Sequence, residues 1–154
     1  MGVIKPTLTI TSNVSTATRD AGPMSAAVTL SATDSLTVDK VLTKILDVKG
    51  THGDADDGGI LFDASDYTAS GTAGTDGGFV YLKNTSSTAG HHIYIGHGSA
   101  TAMEDGADTT RTMTLQGGEF AFFPWDMTQD IVFDANGDYT AALEAWLFVR
   151  TGTA

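Results

Sequence analysis

The stretch that decides the fold runs Gly117-Gly118-Glu119-Phe120-Ala121-Phe122-Phe123-Pro124-Trp125. Two more apolar stretches follow it, Asp130-Ile131-Val132-Phe133 and Leu143-Glu144-Ala145-Trp146-Leu147-Phe148-Val149. Each stretch is short, rich in aromatic or β-branched residues, and bounded by glycine, proline or asparagine, which is the pattern of β-strands separated by turns. The C-terminal third of the chain therefore predicts an all-β protein.

Alternating apolar and polar residues predict further strands in the rest of the chain. Residues 7–11 and 26–32 alternate apolar with hydroxyl side chains. Residues 79–84 and 92–96 are typical of two strands, and the short polar segment between them predicts a hairpin. Asn136-Gly137 predicts a second hairpin, since this pair supplies the positive φ angles of a type I′ turn.

Residues 35–49 fit two periods at once. Their apolar residues fall at helical spacing, but they also satisfy the two-residue period of a strand. β-branched residues favour the strand, so the segment predicts two strands with a turn near Asp39-Lys40. A helix here is the alternative.

Roughly ten strands with turn residues between them predict a β-sandwich of jelly-roll type. At 154 residues the chain is long enough for one domain with a substantial core, and it contains no repeat and no linker. We therefore expect a single sandwich domain over residues 1–154, with residues 1–25 as an extended N-terminal arm.

The composition excludes several classes of function. The chain has no cysteine, which excludes disulfides, thiolate chemistry and zinc–thiolate sites. The formal charge of -11 repels a phosphate backbone, so we expect no nucleic-acid partner. No stretch approaches the roughly 20 apolar residues of a membrane span, and the first residues lack the pattern of a signal peptide. We expect a soluble protein that has no membrane partner and is not secreted.

The last apolar stretch carries large residues on both faces of the predicted strand. One face would line the core with Leu143, Ala145, Leu147 and Val149. The other face carries Glu144, Trp146, Phe148 and Arg150. Either a long loop covers these rings or they belong to a subunit interface, where aromatic residues are enriched. The residues expected at such an interface are Trp146, Phe148, Phe120, Phe122 and Trp125.

Three segments carry groups that could bind a metal ion. Residues 54–58 and 134–138 have closely spaced acidic or amide groups, as at the start of a calcium loop, but both depart from the EF-hand pattern. His91, His92 and His97 could bind a transition metal, although neighbours on a strand point to opposite sides. Solvated loops, a turn and surface histidines are the alternatives. We predict no metal and no cofactor.

Catalytic motifs are not evident either. Gly96-His97-Gly98-Ser99 lacks the nucleophile-elbow pattern, and the glycine-rich segments lack the lysine of a phosphate-binding loop. Glu119 and Glu144 have no partner visible in the sequence. We predict a protein that is not an enzyme.

The second half of the chain has a distinctive order of motifs. Val80-Tyr81-Leu82-Lys83-Asn84-Thr85 is followed by Ile93-Tyr94-Ile95-Gly96, then by the aromatic stretch after Leu115, and finally by residues 143–149. This order, from residue 79 on, resembles that of small virion structural proteins of tailed bacteriophages, particularly marine and cyanobacterial phages. The resemblance implies a jelly-roll-like sandwich and a non-enzymatic subunit on the outside of the particle, commonly a homotrimer.

Three functions are compared on this basis. The leading one is a capsid decoration or cement subunit, made in the host cytoplasm, that binds itself and the major capsid or other virion proteins. The alternative is an adaptor or knob of the tail, neck or fibre. A third is a carbohydrate-binding module or small cupin-like enzyme, in which Trp125, Trp146 or Tyr94 would stack on sugar rings.

Overall fold

The computed structural model describes residues 2–4, 7–10, 28–31, 36–38, 40–48, 59–67, 77–99 and 110–149. The chain divides into two units, Met1–Thr37 and Val38–Ala154. The described residues form strands and one 3-10 turn, and no α-helix occurs among them. In this part of the chain no helix is long and apolar enough to cross a bilayer.

The first unit contains short strands. β2 (Thr7–Ile10) pairs antiparallel with β3 (Val28–Ser31), with Leu8 opposite Leu30. β1 (Gly2–Ile4) forms a two-stranded sheet with β4 (Leu36–Val38), whose last residue, Val38, is the first of the second unit. The strands predicted around residues 7–11 and 26–32 are confirmed. Most of the arm predicted over residues 1–25 lies outside the described residues.

In the second unit, the described residues form eight strands, β5 to β12, in two four-stranded antiparallel sheets. In chain order they are β5 (Lys40–Val48), β6 (Gly59–Phe62), β7 (Gly78–Asn84), β8 (Ile93–His97), β9 (Arg111–Leu115), β10 (Phe120–Trp125), β11 (Ile131–Ala135) and β12 (Tyr139–Val149). The first sheet has the order β10-β7-β12-β5 and the second β6-β11-β8-β9. A 3-10 turn, Ala64–Asp66, follows β6. The two sheets share one core. The prediction of an all-β fold is therefore confirmed, and two antiparallel sheets around one core are consistent with a β-sandwich.

The core lies between the two sheets and is built from buried side chains of the strands in both. Fully buried side chains from the first sheet are Val80, Leu82, Leu143, Ala145 and Leu147. Those from the second sheet are Leu61, Phe62, Ile93, Ile95 and Ile131. The inward face predicted for β12 is therefore confirmed. Each large aliphatic side chain buried in this way contributes about 1.5–3 kcal/mol to folding.

The ambiguous segment over residues 35–49 forms two strands, β4 and β5, as predicted. β5 is nine residues long. Its outward residues are exposed, whereas Val48 on its inward side is fully buried and Leu42 and Leu46 pack against the core. The two-residue period therefore prevails over the helical one.

Both hairpins predicted from the sequence are wrong. β7 and β8 lie in different sheets, and so do β11 and β12 on either side of Asn136-Gly137. Neither Asn136 nor Gly137 has a positive φ, so the turn is not of type I′. Turn residues predict that the chain changes direction, but a turn can also carry it across the gap of about 10 Å between two packed sheets. That is the outcome at both positions.

Asn84 anchors the segment that crosses from β7 to β8. Its side chain is fully buried. The Nδ2 amide donates to the carbonyl oxygens of His91 at 2.9 Å and Leu115 at 3.0 Å, and Oδ1 accepts from the backbone N–H of Ser86 at 3.1 Å. One amide thus ties β7 to β9 and to both ends of the crossing segment.

The turn before β10 packs closely against the same segment. A Cβ at Gly117 would lie 2.3 Å from the carbonyl oxygen of Thr88, a distance that only glycine permits. The next residue, Gly118, has a φ of +86°, in the region that glycine adopts most readily. These two glycines fix where the aromatic strand β10 begins.

Candidate interaction surface

The outer face of the first sheet is lined by outward-pointing residues from all four of its strands. The strand register aligns them in three rows, each crossing the sheet in the order β10, β7, β12 and β5. The rows are Phe120-Lys83-Glu144-Ile45, Phe122-Tyr81-Trp146-Thr43 and Pro124-Phe79-Phe148-Val41. We call these twelve residues the aromatic face.

Large apolar side chains on this face are open to solvent. Ile45 is 71% exposed, Phe120 53%, Val41 46%, Phe122 40% and Trp146 38%. Among the described residues, the other exposed large hydrophobic residue is Ile60, on β6 of the second sheet. Contiguous apolar patches on a protein surface are often functional and mark places where another surface binds.

The rings of the aromatic face contact one another and so hold a common arrangement. Phe79 stacks on Phe122 with centroids 5.5 Å apart and an angle of 3° between the planes. The Tyr81 and Phe120 rings lie 6.1 Å apart, and those of Trp146 and Phe148 6.2 Å apart. Because these contacts restrict the rotamers, less side-chain entropy is lost when a partner covers the face.

Two opposite charges lie side by side in the first row. Lys83 on β7 is directly opposite Glu144 on β12. Glu144 Oε1 accepts a hydrogen bond of 2.8 Å from the indole N–H of Trp146. Burial, helped by the negative charge of Glu144, raises the pKa of the Tyr81 phenol. Tyr81 therefore stays neutral at pH 7, and the charges of Lys83 and Glu144 cancel.

The structure brings together four of the five residues predicted at an interface. Trp146, Phe148, Phe120 and Phe122 all lie on the aromatic face. Trp125 does not, and its assignment to an interface is corrected here. The residue is only 4% exposed, because the odd-numbered residues of β10 point inward.

Trp125 belongs to the core instead. Its ring lies 6.2 Å from that of Phe62 and 5.8 Å from that of Tyr67. The indole N–H donates to the carbonyl oxygen of Gln129 at 2.9 Å. This ring is enclosed and its polar atom is satisfied within the chain, so it stabilises the fold and is not available to a partner.

The candidate metal sites do not form a cluster where the structure describes them. Residues 54–58 lie outside the described residues. In the 134–138 segment, Asn136 Oδ1 accepts hydrogen bonds from the backbone N–H of His92 and from the Tyr139 hydroxyl, so its oxygen is used within the turn. Among the described residues, no three His, Asp or Glu side chains are grouped so that they could hold a metal ion.

A cleft of about 200 Å³ lies beside the crossing segment and contains a serine–histidine contact that the sequence did not reveal. Ser86 Oγ is 2.7 Å from His91 Nδ1, and the His91 ring stacks on Tyr139 with centroids 3.8 Å apart. Ser86 Oγ also accepts from the backbone N–H of Thr88 at 3.1 Å. The pair is thus part of the hydrogen bonding that shapes this loop. A spacing of five loop residues carries no motif that could have predicted it.

The rings proposed for sugar stacking are not brought together. Trp125 is in the core, and Trp146 is on the outside of the first sheet. Tyr94 lies in the second sheet, with the guanidinium of Arg111 4.3 Å from its ring centroid. A binding platform that combines these three residues is excluded by the fold.

Comparisons of the chain with protein-family models, curated proteins and solved structures found no match. The resemblance to phage virion proteins therefore stays a prediction that rests on the motifs from residue 79 on. The feature best suited to a function is the aromatic face, which is preorganised, exposed and nearly neutral.

Proposed function

We propose that this protein is a non-enzymatic structural subunit of a bacteriophage virion and that it assembles through the aromatic face. The observation that carries the proposal is the exposure of Ile45, Phe120, Val41, Phe122 and Trp146 on one side of one sheet. Covering apolar surface stabilises a complex by about 25 cal/mol for each Å² removed from water. The preorganised rings make this gain available without a large loss of entropy.

The pairing of the strands supports a jelly-roll topology within the proposal. Four antiparallel pairs join β8 with β9, β7 with β10, β6 with β11 and β5 with β12. This is the pairing of one long ribbon, and rolling the ribbon up adds the β7–β12 and β8–β11 pairs. Eight-stranded jelly rolls are frequent in viral capsid proteins.

We propose that the protein is located on the outside of the head shell, as a decoration or cement subunit. The resemblance to phage virion proteins implies an external subunit, commonly a homotrimer. A charge of -11 suits a surface that faces away from the packaged genome, whose phosphates would repel it.

This location is tested by counting the copies of the protein in purified virions of the phage that encodes it. Quantitative mass spectrometry against the major capsid protein is expected to give hundreds of copies, as the symmetry of a shell requires. About a dozen copies or fewer would instead indicate a tail, neck or fibre component. Absence from the particles would contradict a virion role altogether.

A pair of isoleucine variants tests the assembly surface in the same particles. Ile45 lies on the aromatic face and Ile60 on the second sheet, and both are exposed. We expect Ile45→Ser to reduce incorporation into virions and to lower their resistance to heat. Ile60→Ser, the matched control, is expected to leave both unchanged. Equal effects of the two changes would mean that the aromatic face is not the assembly surface.

A further inference from the structure

We infer that the aromatic face binds the aromatic face of a second copy, across a two-fold axis that runs parallel to the strands between β7 and β12. The inference rests on the proposed role of the face in assembly and names its partner. It follows from the row and the strand in which each outward residue lies. The contact is isologous, so each residue pair occurs twice.

The position of the axis decides which residues meet. Rotation about it carries β7 over β12 of the second copy and β10 over β5, and every residue stays in its own row. On the two central strands, β7 and β12, Lys83 then lies opposite the partner's Glu144, Tyr81 opposite the partner's Trp146, and Phe79 opposite the partner's Phe148. Two sheets packed in this way lie about 10 Å apart with nearly aligned strands.

The charges in the first row favour a second copy over a purely apolar partner. Covering Lys83 and Glu144 with an apolar surface would take both charges out of water without adding an opposite charge, at a cost of several kcal/mol. Across the two-fold axis each of them gains an opposite charge on the other chain. A second copy supplies these charges at the matching spacing by symmetry alone.

The net charge of the chain also favours contact between two copies through the aromatic face. Two copies with a formal charge of -11 each repel one another over most approaches. In the three rows of the aromatic face, the charges of Lys83 and Glu144 cancel. Approach through this face therefore brings together two surfaces whose own charges cancel.

The size of the face sets the expected affinity. Four strands about 4.8 Å apart and three rows about 6.8 Å apart cover roughly 400 Å² on each copy. The total of roughly 800 Å² is below the 1,200–2,000 Å² of standard stable interfaces. We therefore expect a weak contact, with a Kd of about micromolar or above, which many simultaneous contacts on a particle would strengthen.

Charge reversal in two separate chains tests the contact. Sedimentation velocity of the unmodified protein over micromolar concentrations is expected to show association into two copies, or into six if the trimers implied by the resemblance also form. Lys83→Glu and Glu144→Lys are each expected to weaken this association about 10-fold or more, because each places two like-charge pairs across the axis. An equal mixture of the two variants is expected to associate again.

The mixture separates contacts between chains from effects within one chain. Each variant keeps like charges at positions 83 and 144 of its own sheet, so mixing cannot relieve repulsion there. Across the two-fold axis, however, the new carboxylate of one variant faces the new ammonium group of the other. Asp66→Lys is the matched control, since it changes the charge as Glu144→Lys does but lies on the exposed 3-10 turn. It is expected to associate with itself like the unmodified protein. Its mixed dimer with Lys83→Glu has one like-charge and one opposite-charge pair across the axis, so it is expected to be weaker than the mixed dimer of the two charge variants.

Circular dichroism establishes that each variant is folded. If either charge variant fails to fold, the comparison of Ile45→Ser with Ile60→Ser in sedimentation takes its place, and only Ile45→Ser is expected to weaken association. An unmodified protein that stays monomeric or purely trimeric, or a mixture without recovery, would overturn the two-fold contact. If Ile45→Ser still reduced incorporation into virions in that case, the proposed function would stand and the partner of the face would be another virion protein.

Discussion

Trp125 and Trp146 project from opposite faces of the same sheet, Trp125 into the core at 4% exposure and Trp146 outward at 38%. The indole N–H of Trp125 donates to Gln129, and that of Trp146 donates to Glu144 on the surface. The chain has two tryptophans, so Trp125 reports on folding and, under the proposed contact between two copies, Trp146 reports on assembly.

Replacing each tryptophan by alanine is expected to separate these two roles. Trp125→Ala should lower the free energy of unfolding by about 3–5 kcal/mol, because it leaves a cavity between the sheets. Trp146→Ala should lower it by about 1 kcal/mol or less but should weaken self-association. Urea unfolding of dilute protein and sedimentation at higher concentration measure the two effects. Similar losses of stability in both variants would contradict the assignment.

The glycines around the crossing segment allow a graded test of close packing. Gly117→Ala should destabilise the protein by about 2–3 kcal/mol, because the new methyl group collides with the Thr88 carbonyl and the backbone must move. Gly118→Ala should cost about 1–2 kcal/mol through its positive φ alone. Gly90→Ala is the control, since a Cβ there meets nothing within 4 Å. Thermal unfolding that ranks the three differently would argue against this packing.

The buried Asn84 amide is expected to be important for stability. Asn84→Leu keeps a similar volume but removes three hydrogen bonds and leaves the carbonyl oxygens of His91 and Leu115 without this donor. We expect a loss of about 2–4 kcal/mol in urea unfolding, from unsatisfied buried polar groups. The control is Asn136→Ala at an exposed turn, where water can replace the lost bonds and the loss should be smaller. An Asn84→Leu variant as stable as this control would show that the amide is dispensable.

Asp126 should make a small, pH-dependent contribution to stability. Hydrogen bonds from the backbone N–H and hydroxyl of Thr128 lower the pKa of this carboxyl below its ordinary value of 3.8. A lowered pKa in the folded state means that the contribution is fully present above about pH 4 and is lost as the pH falls through the folded value.

The test compares Asp126→Asn with the unmodified protein by thermal unfolding from pH 7 to pH 3. At pH 7 the variant should be less stable by up to about 1 kcal/mol, a small value because the group is exposed to solvent. The difference should shrink as the pH falls below about 4, because the carboxyl is then protonated first in the unfolded state and, at lower pH, in the folded state as well. A difference that stays constant over the whole range would contradict the role of this carboxylate.

The alternation of odd and even residues along a strand predicts which side chains enter the core, and it applies to β10 as well as to β12. The inward face of β12 followed from the alternation of Leu143, Ala145 and Leu147. The same rule separates Trp125 from Phe120 and Phe122, because odd and even residues of a strand point to opposite sides. Residue type alone places Trp125 with the interface residues, whereas its odd position in β10 places it in the core.

The pairing of strands could not be predicted from local sequence. Asn136-Gly137 and the polar segment after Asn84 both look like hairpin connections, yet both lead to the other sheet. Which strand lies beside which depends on packing between residues far apart in the chain. The row that joins Lys83 to Glu144 depends on such a pairing and becomes visible only in three dimensions. The same holds for Ser86 and His91, which meet because Asn84 shapes their loop.

The switching of the chain between sheets has a consequence for how the protein folds. Of the strands in the second unit, β8 and β9 are consecutive and paired, whereas Lys40 pairs with Val149 near the other end of the chain. Most strand pairs therefore require a long loop to close before their contacts can stabilise the fold. This is typical of domains that fold in milliseconds to seconds. During that time the rings of β10 and β12 are exposed to other nascent chains. We expect refolding yields to fall as the protein concentration rises, and a chaperone that shields these rings should restore the yield.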